Sequence, residues 1–189
     1  MLLTGENFSS KNTPKLAREL IGKIIKRKIN GKVIEAVISE TEAYHGFSDK
    51  ASHASRGKTP RNKPMFGKAG SWYVYFIYGN HFMLNLITGP ENYPSAILLR
   101  GILVGDKKIN GPGRLTKFLN VDKQFNDQLA NKKTGLWIED RGVKINPHTK
   151  QINFFGMGVK QSQIEKLPRV GIDYAEEKYK NKLWRFRLK

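Results

Sequence analysis

Two carboxylates and a tyrosine occupy alternate positions in Glu40-Thr41-Glu42-Ala43-Tyr44. On an extended strand this spacing puts all three side chains on one face. Paired carboxylates can divide acid–base work, and one kept ionised by nearby cations can take a proton from water. The same spacing suits exposed strand residues facing lysines, so the pair alone leaves both readings open. Other chemistries lack their residues. The chain has no cysteine, which removes disulfides, thiolate zinc sites, iron–sulfur clusters and thiol catalysis. His45, His53, His81 and His148 form no pair at helical metal-ligand spacing, so no metal is expected. No Walker loop or G-x-G-x-x-G fingerprint opens a helix, and no nucleotide cofactor is expected. Ser-His-Asp catalysis lacks its G-x-S-x-G elbow.

A second group of residues points to a polyanion. From Lys50 to Pro90 there is no Asp or Glu. The stretch carries Lys50, Arg56, Lys58, Arg61, Lys63 and Lys68, with Trp72, Tyr73, Tyr75 and Tyr78 close behind. Cations neutralise phosphates and aromatic rings stack on exposed bases, at ~1–3 kcal/mol per stacked base. A solvated loop followed by an ordinary aromatic strand has the same composition.

These residues need a scaffold, and its elements can be read locally. Thr13-Pro14, a cap followed by proline at the first helical position, opens a helix over 15–21 that stops at Gly22. Residues 23–29 and 32–44 are β-prone runs joined by Asn30-Gly31, the preferred two-residue hairpin turn. Along the second run Ile34, Ala36, Ile38, Glu40, Glu42 and Tyr44 share one face, which begins apolar and ends acidic and aromatic. A polar loop covers 45–70. Strands follow at 72–77 and 82–87 around Tyr78-Gly79-Asn80-His81, then at 95–104, with Arg100 in its second half. Gly111-Pro112-Gly113-Arg114 introduces a helix over 115–119. Short strands are expected near 136–139, 151–154 and 183–188, the last with Trp184, Phe186 and Leu188 alternating with Arg185 and Arg187.

The whole is an α+β chain, expected as a single mixed domain over 1–189. Its sheet is largely antiparallel, curved and built of hairpins, flanked by a few helices. At 189 residues, with 39% hydrophobic and 11% aromatic content, it can build one core despite a net charge of +18. Met1-Leu2-Leu3-Thr4-Gly5-Glu6 shows no signal-peptide pattern, and no apolar run approaches the ~18 residues of a membrane span. The expectation is a cytoplasmic protein without membrane contact.

Several short motifs now converge. Ser39-Glu40-Thr41-Glu42-Ala43-Tyr44, His53-Ala54-Ser55-Arg56-Gly57 and Thr59-Pro60-Arg61-Asn62 resemble the alkyladenine (3-methyladenine, methylpurine) DNA glycosylases. Met65-Phe66, Tyr73-Val74-Tyr75, Tyr78-Gly79, Asn85, Leu98-Leu99-Arg100, Gly111-Pro112-Gly113 and Arg169-Val170-Gly171-Ile172 continue the likeness in order. It spans about Leu16 to Phe186.

The resemblance implies a monofunctional base-excision enzyme that works as a monomer on double-stranded DNA bearing a damaged purine, with no metal or cofactor. Such enzymes flip the base out and hydrolyse its N-glycosidic bond, leaving an abasic site. By position, Glu42 matches the general base; Arg100 and the backbone carbonyl of Val170 match groups that hold the attacking water. Tyr44, His53 and Tyr75 match the residues that sandwich the extruded base, and Asn85 the one that disfavours the guanine amino group. Tyr78 matches the wedge that enters the duplex. Arg56, Arg61 and Lys63 are expected on the DNA backbone. Alkylated purines such as 3-methyladenine are the implied substrates, with hypoxanthine and ethenoadenine as further ones. A non-catalytic nucleic-acid-binding module on the same fold is the rival. The sequence departs from the family's mammalian pattern at Asn80-His81, where an apolar residue and a tyrosine follow the wedge, and at His45, where those members carry an aliphatic residue.

Overall fold

The computed structural model describes residues 1–77, 79–142 and 159–189, with the backbone of two short strands at 144–145 and 152–153. In chain order come helices α1 (Gly5–Phe8) and α2 (Thr13–Glu19), then strands β1 (Ile24–Ile29) and β2 (Lys32–His45). Two 3-10 turns, His53–Arg56 and Lys63–Phe66, lead to β3 (Trp72–Ile77), β4 (His81–Ile87), β5 (Ser95–Val104) and β6 (Lys107–Asn110). Helix α3 (Pro112–Phe118) precedes β7 (Leu136–Glu139), β8 (Lys144–Ile145), β9 (Ile152–Asn153) and β10 (Ile164–Leu167). Helix α4 (Glu177–Lys180) and β11 (Arg185–Leu188) finish the order.

Strand β2 is the spine. Its first half pairs with β1 and its second half with β11, while β5 runs along the other edge. Strand β5 is shared in the same way, by β4 at its start and β6 at its end. The main sheet has nine strands among the described residues, in the central order β10-β11-β2-β5-β4-β3, and its pairings are antiparallel. This is the expected α+β architecture. No helix among the described residues is long and apolar enough to cross a membrane.

Local chemistry explains the elements. Asn30 and Gly31 both take positive φ, 47° and 79°, the backbone a tight hairpin turn demands. Helix α2 begins one residue earlier than its proline suggested. Asn12 is the cap, its Oδ1 accepting from the Lys15 N–H at 3.1 Å, and Thr13 lies inside the helix. The Thr13 hydroxyl instead meets Thr88 Oγ1 at 3.2 Å and His45 Nδ1 at 3.1 Å. The helix ends at Glu19, short of the expected 21, with Leu20 as the C-cap and Gly22 at φ 86° turning the chain into β1.

The main core lies where α2 and α3 cover the sheet, around Trp72, Ile24, Ile38, Leu84, Leu99 and Leu115. Trp72 is fully buried and donates its indole N–H to the Leu136 carbonyl at 3.1 Å, as a buried indole must. Thr41 ties β2 to α2 by donating to the Ala17 carbonyl at 2.8 Å.

Strand β6 was not legible because Lys107, Lys108 and Asn110 are exposed and only Ile109 is buried. Strand β10 is similar, with Ile164 alone buried. The expected strand over 151–154 is seen at 152–153; Gln151 and Phe154 lie outside the described residues.

Candidate active site

The site forms where the β2–β5 pairing slips twice. Ile38 faces Ile102, Glu40 faces Gly101 and Thr41 faces Leu99. Ser39 is therefore one extra residue on β2, and Arg100 one extra residue on β5. Bulges re-aim side chains, and these divide the single face expected of β2. Ala36 and Ile38 belong to the main core. Beyond the bulges it is Ala43 that joins that core, while Glu40, Glu42 and Tyr44 gather around Arg100 and a cavity.

That cavity measures about 380 Å³ and is lined mainly by aromatic and aliphatic groups with a few polar ones, the composition expected of a small-molecule pocket. Tyr44, His53, Tyr75, Asn85, Arg100 and Val170 all border it. A cavity of about 430 Å³ lies between α1, α2 and the Lys23–Asp140 ion pair. Its walls run to Gly142 and Val159, at the margin of the described residues, and it has no comparable converging set.

Glu42 is fully buried and lies behind the cavity wall, in contact with three residues that line it, Tyr44, Arg100 and Val170. Its Oε1 accepts the Val170 N–H at 2.9 Å, its Oε2 accepts the Tyr44 hydroxyl at 3.0 Å, and Arg100 Nε lies 3.4 Å from Oε1. Burial raises its pKa above the ordinary glutamate value; the Arg100 charge, the Val170 N–H, the Tyr44 hydroxyl and the Arg185 charge oppose burial without cancelling it. Tyr44 is pushed well above the usual tyrosine range, first by burial and then by the Glu42 charge. It therefore stays protonated and donates. The outcome is a desolvated carboxyl group that holds a proton more tightly than an ordinary glutamate.

The loop that follows β10 is held as firmly as the strand. Arg169 makes a bidentate pair with Asp49 at 2.6 and 2.9 Å, both side chains fully buried. It also donates to the Ala43 carbonyl at 2.9 Å, and its guanidinium lies 4.9 Å from the Tyr44 ring and 5.1 Å from the Trp184 ring. This clamp fixes the backbone one residue before Val170, so the N–H that meets Glu42 is pre-positioned.

The aromatic wall comes from the polar loop and β3. His53 opens the first 3-10 turn and packs its ring edge against Tyr75, centroids 5.0 Å apart at 73°. Desolvation, then the Arg61 charge, lowers its pKa, which favours a neutral ring beside the cavity. Tyr75 is raised by burial and then by Tyr73. Asn62 braces this loop by donating to the carbonyls of His53 and Gly57, at 3.0 and 2.9 Å. Asn85 is buried, its Nδ2 donating to the carbonyls of Tyr73 and Met83 at 3.1 and 3.3 Å. The amide is thus fixed by backbone.

Of the cations expected on DNA, Arg56 and Lys63 are exposed at the ends of the two 3-10 turns, without ion-pair partners among the described residues. Arg61 is exposed too, but its guanidinium lies 5.2 Å from the Tyr75 ring centroid, against the pocket wall. Tyr78 lies outside the described residues. Among the described residues no cluster of His, Asp or Glu could hold a metal.

Sequence reasoning missed part of the lining. Met65 and Met83 line the cavity, and single methionines carry no spacing signal. Tyr174, 65% exposed, stands at the rim with its hydroxyl on the Ala51 carbonyl at 2.8 Å; its closeness to Val170 was the available clue.

Comparison with known proteins points one way. The sequence model of the methylpurine-DNA glycosylase family matches residues 7–189. A protein of Borrelia garinii subsp. bavariensis is 41% identical over 192 aligned positions, covering 96% of this chain and 94% of that protein. A Borreliella burgdorferi protein is 38% identical with the same coverage. One from Ehrlichia chaffeensis is 36% identical, covering 87% of this chain and 83% of its own length. All three bear the name "Putative 3-methyladenine DNA glycosylase".

Proposed function

This chain belongs to the methylpurine-DNA glycosylase family, and from that premise we propose that it flips a damaged purine out of duplex DNA and hydrolyses its N-glycosidic bond. Alkylated purines such as 3-methyladenine are the first substrates, with hypoxanthine and ethenoadenine as further ones. The observation that carries this reading is Glu42, a buried carboxylate with a raised pKa beside an aromatic cavity and an arginine.

In this reading the extruded base enters between Tyr44, His53 and Tyr75. Extrusion costs a few kcal/mol, least for a damaged or mismatched base, and stacking on these rings returns part of it. A cationic alkylpurine gains more from the same faces. Asn85 disfavours the guanine amino group. As the bond from C1′ to the base nitrogen lengthens, its electron pair leaves with the base and positive charge grows on the sugar. Glu42 accepts a proton from water, the water oxygen bonds C1′, and an abasic site and free base remain. The carboxylate both activates water and faces the developing charge. Arg100 and the Val170 carbonyl hold the water.

No lysine lines the cavity among the described residues, which supports simple hydrolysis over a Schiff-base route. Tyr78 wedges the duplex, and Arg56, Arg61 and Lys63 serve the DNA backbone. The reading takes 1–189 as one domain acting as a monomer in the cytoplasm.

The test is a panel of duplexes carrying one alkylated or deaminated purine each. Free base is expected from at least one, with no adduct trapped by borohydride. A folded sample that binds the duplexes but releases nothing would establish the non-catalytic module instead.

A further inference from the structure

A second carboxylate stands behind Glu42 and has no part in the proposed chemistry. Glu40 is buried. Its Oε1 accepts from Arg185 Nη1 at 3.0 Å and from Arg100 Nε at 3.4 Å. Arg100 Nε is equally far, 3.4 Å, from Glu42 Oε1. Yet the single hydrogen on Nε points at Glu40, so Glu42 feels that arginine as a charge rather than as a donor. Arg185 divides itself too, its Nε donating to the Pro168 carbonyl at 2.8 Å. Pro168 immediately precedes the Arg169–Val170 segment that supplies the N–H on Glu42.

We propose that Glu40 is a positioning residue which takes up the hydrogen bonds of Arg100 and Arg185 and so keeps Glu42 basic. This rests on the glycosylase reading of Glu42. The charged and titratable groups around Glu42 are few. Glu40 and Tyr44 come from β2, Arg100 from β5, Arg185 from β11 and Tyr75 from β3. Arg169, on the loop after β10, is neutralised by Asp49. In this set Glu40 is the one anion close enough to share Arg100 with Glu42. Without it, both arginines would have Glu42 as their remaining carboxylate, and a neighbouring anion would be gone. Both changes lower a carboxyl pKa. A weaker base abstracts the water proton less well.

The experiment is a titration of Glu42 by carboxyl 13C NMR in the full chain, assigned by its loss in Glu42→Gln. Glu40→Gln is expected to lower the Glu42 pKa by about one unit, and Glu40→Asp to restore most of it. Arg185→Gln, which removes a cation and frees Glu40, is expected to raise it. The pH profile for excision of a cationic alkylpurine should shift the same way in each variant, a change that loss of packing alone would not produce. A Glu42 pKa unmoved or raised in Glu40→Gln, or lowered in Arg185→Gln, overturns the proposal. Because the titration needs no substrate, it fails separately from the glycosylase reading, which depends on release of base by the wild-type protein.

Discussion

Among the described residues the sheet carries two four-membered clusters of carboxylates and cations, and one of them adjoins the cavity. At the β1–β7 side, Lys26 pairs with Glu35 and Glu139, and Arg141 pairs with the same two acids. Burial acts to raise Glu139, but hydrogen bonds from the Trp137 indole and Lys26, with the charges of Lys26 and Arg141, more than offset it, and its pKa falls. At the β2–β5 bulges the acids are Glu40 and Glu42 and the cations Arg100 and Arg185. There burial wins and the Glu42 pKa rises. Two acids and two cations are present in both places. What differs is that Arg100 Nε and Arg185 Nη1 donate to Glu40, while Glu42, fully buried, receives one N–H and one hydroxyl. The satisfied cluster holds strands together; the other leaves its most buried acid without an arginine hydrogen bond, beside a cavity.

The largest contrast lies in rate. Glu42→Gln should cut release of base by roughly 10²–10⁴-fold, the usual worth of general acid–base help, while lesion-duplex binding persists. Glu139→Gln should leave release unchanged. Next comes Asp49→Asn, which leaves Arg169 charged and unpaired in the interior at a cost of about 3–5 kcal/mol. Thermal unfolding should shift down by about 2–4 °C per kcal/mol. Release should slow with it, because Val170 loses its anchor. Removing the half-exposed Glu35 should cost about 0–1 kcal/mol.

The two acids should also differ in how stability depends on pH. The Glu139 pKa is depressed on folding, so its contribution is present above the ordinary glutamate value and is lost as pH falls through the folded pKa. The Glu42 pKa is raised, so its contribution is present below the ordinary value and is lost as pH rises through the folded pKa. Near neutrality Glu139→Gln should lower Tm and Glu42→Gln should raise it, with both differences closing in acid. Melting curves at several pH values check both signs. The smallest effects belong to the exposed cations. Lys63→Gln and Arg56→Gln should each reduce the slope of log affinity against log salt by about 1, with or without a lesion.

Much of the site was legible because its chemistry is local in sequence. Glu42 and Tyr44 sit two apart on a strand that Asn30-Gly31 announces, and the strand over 95–104 has the bounds found. The bulges were not legible. Nothing in Ser39 or Arg100 signals an unpaired residue, since a bulge is set by how two distant strands meet. The Arg169–Asp49 clamp joins loops 120 positions apart, and a single Arg or Asp in a highly charged chain gives no hint of burial. Short edge strands such as β6 and β10 bury one residue each, too few for a periodic pattern.

The account turns on a buried carboxylate that gathers a proton from water. Its most direct test is the pH profile of single-turnover release of a cationic alkylpurine, which needs no leaving-group protonation, by wild type and Glu42→Gln side by side. The account predicts a rate that climbs with pH through a pKa above the ordinary glutamate value of 4.5, and a variant that stays inactive throughout. A wild-type rate already level at that pH, or a variant that keeps it, would contradict the account.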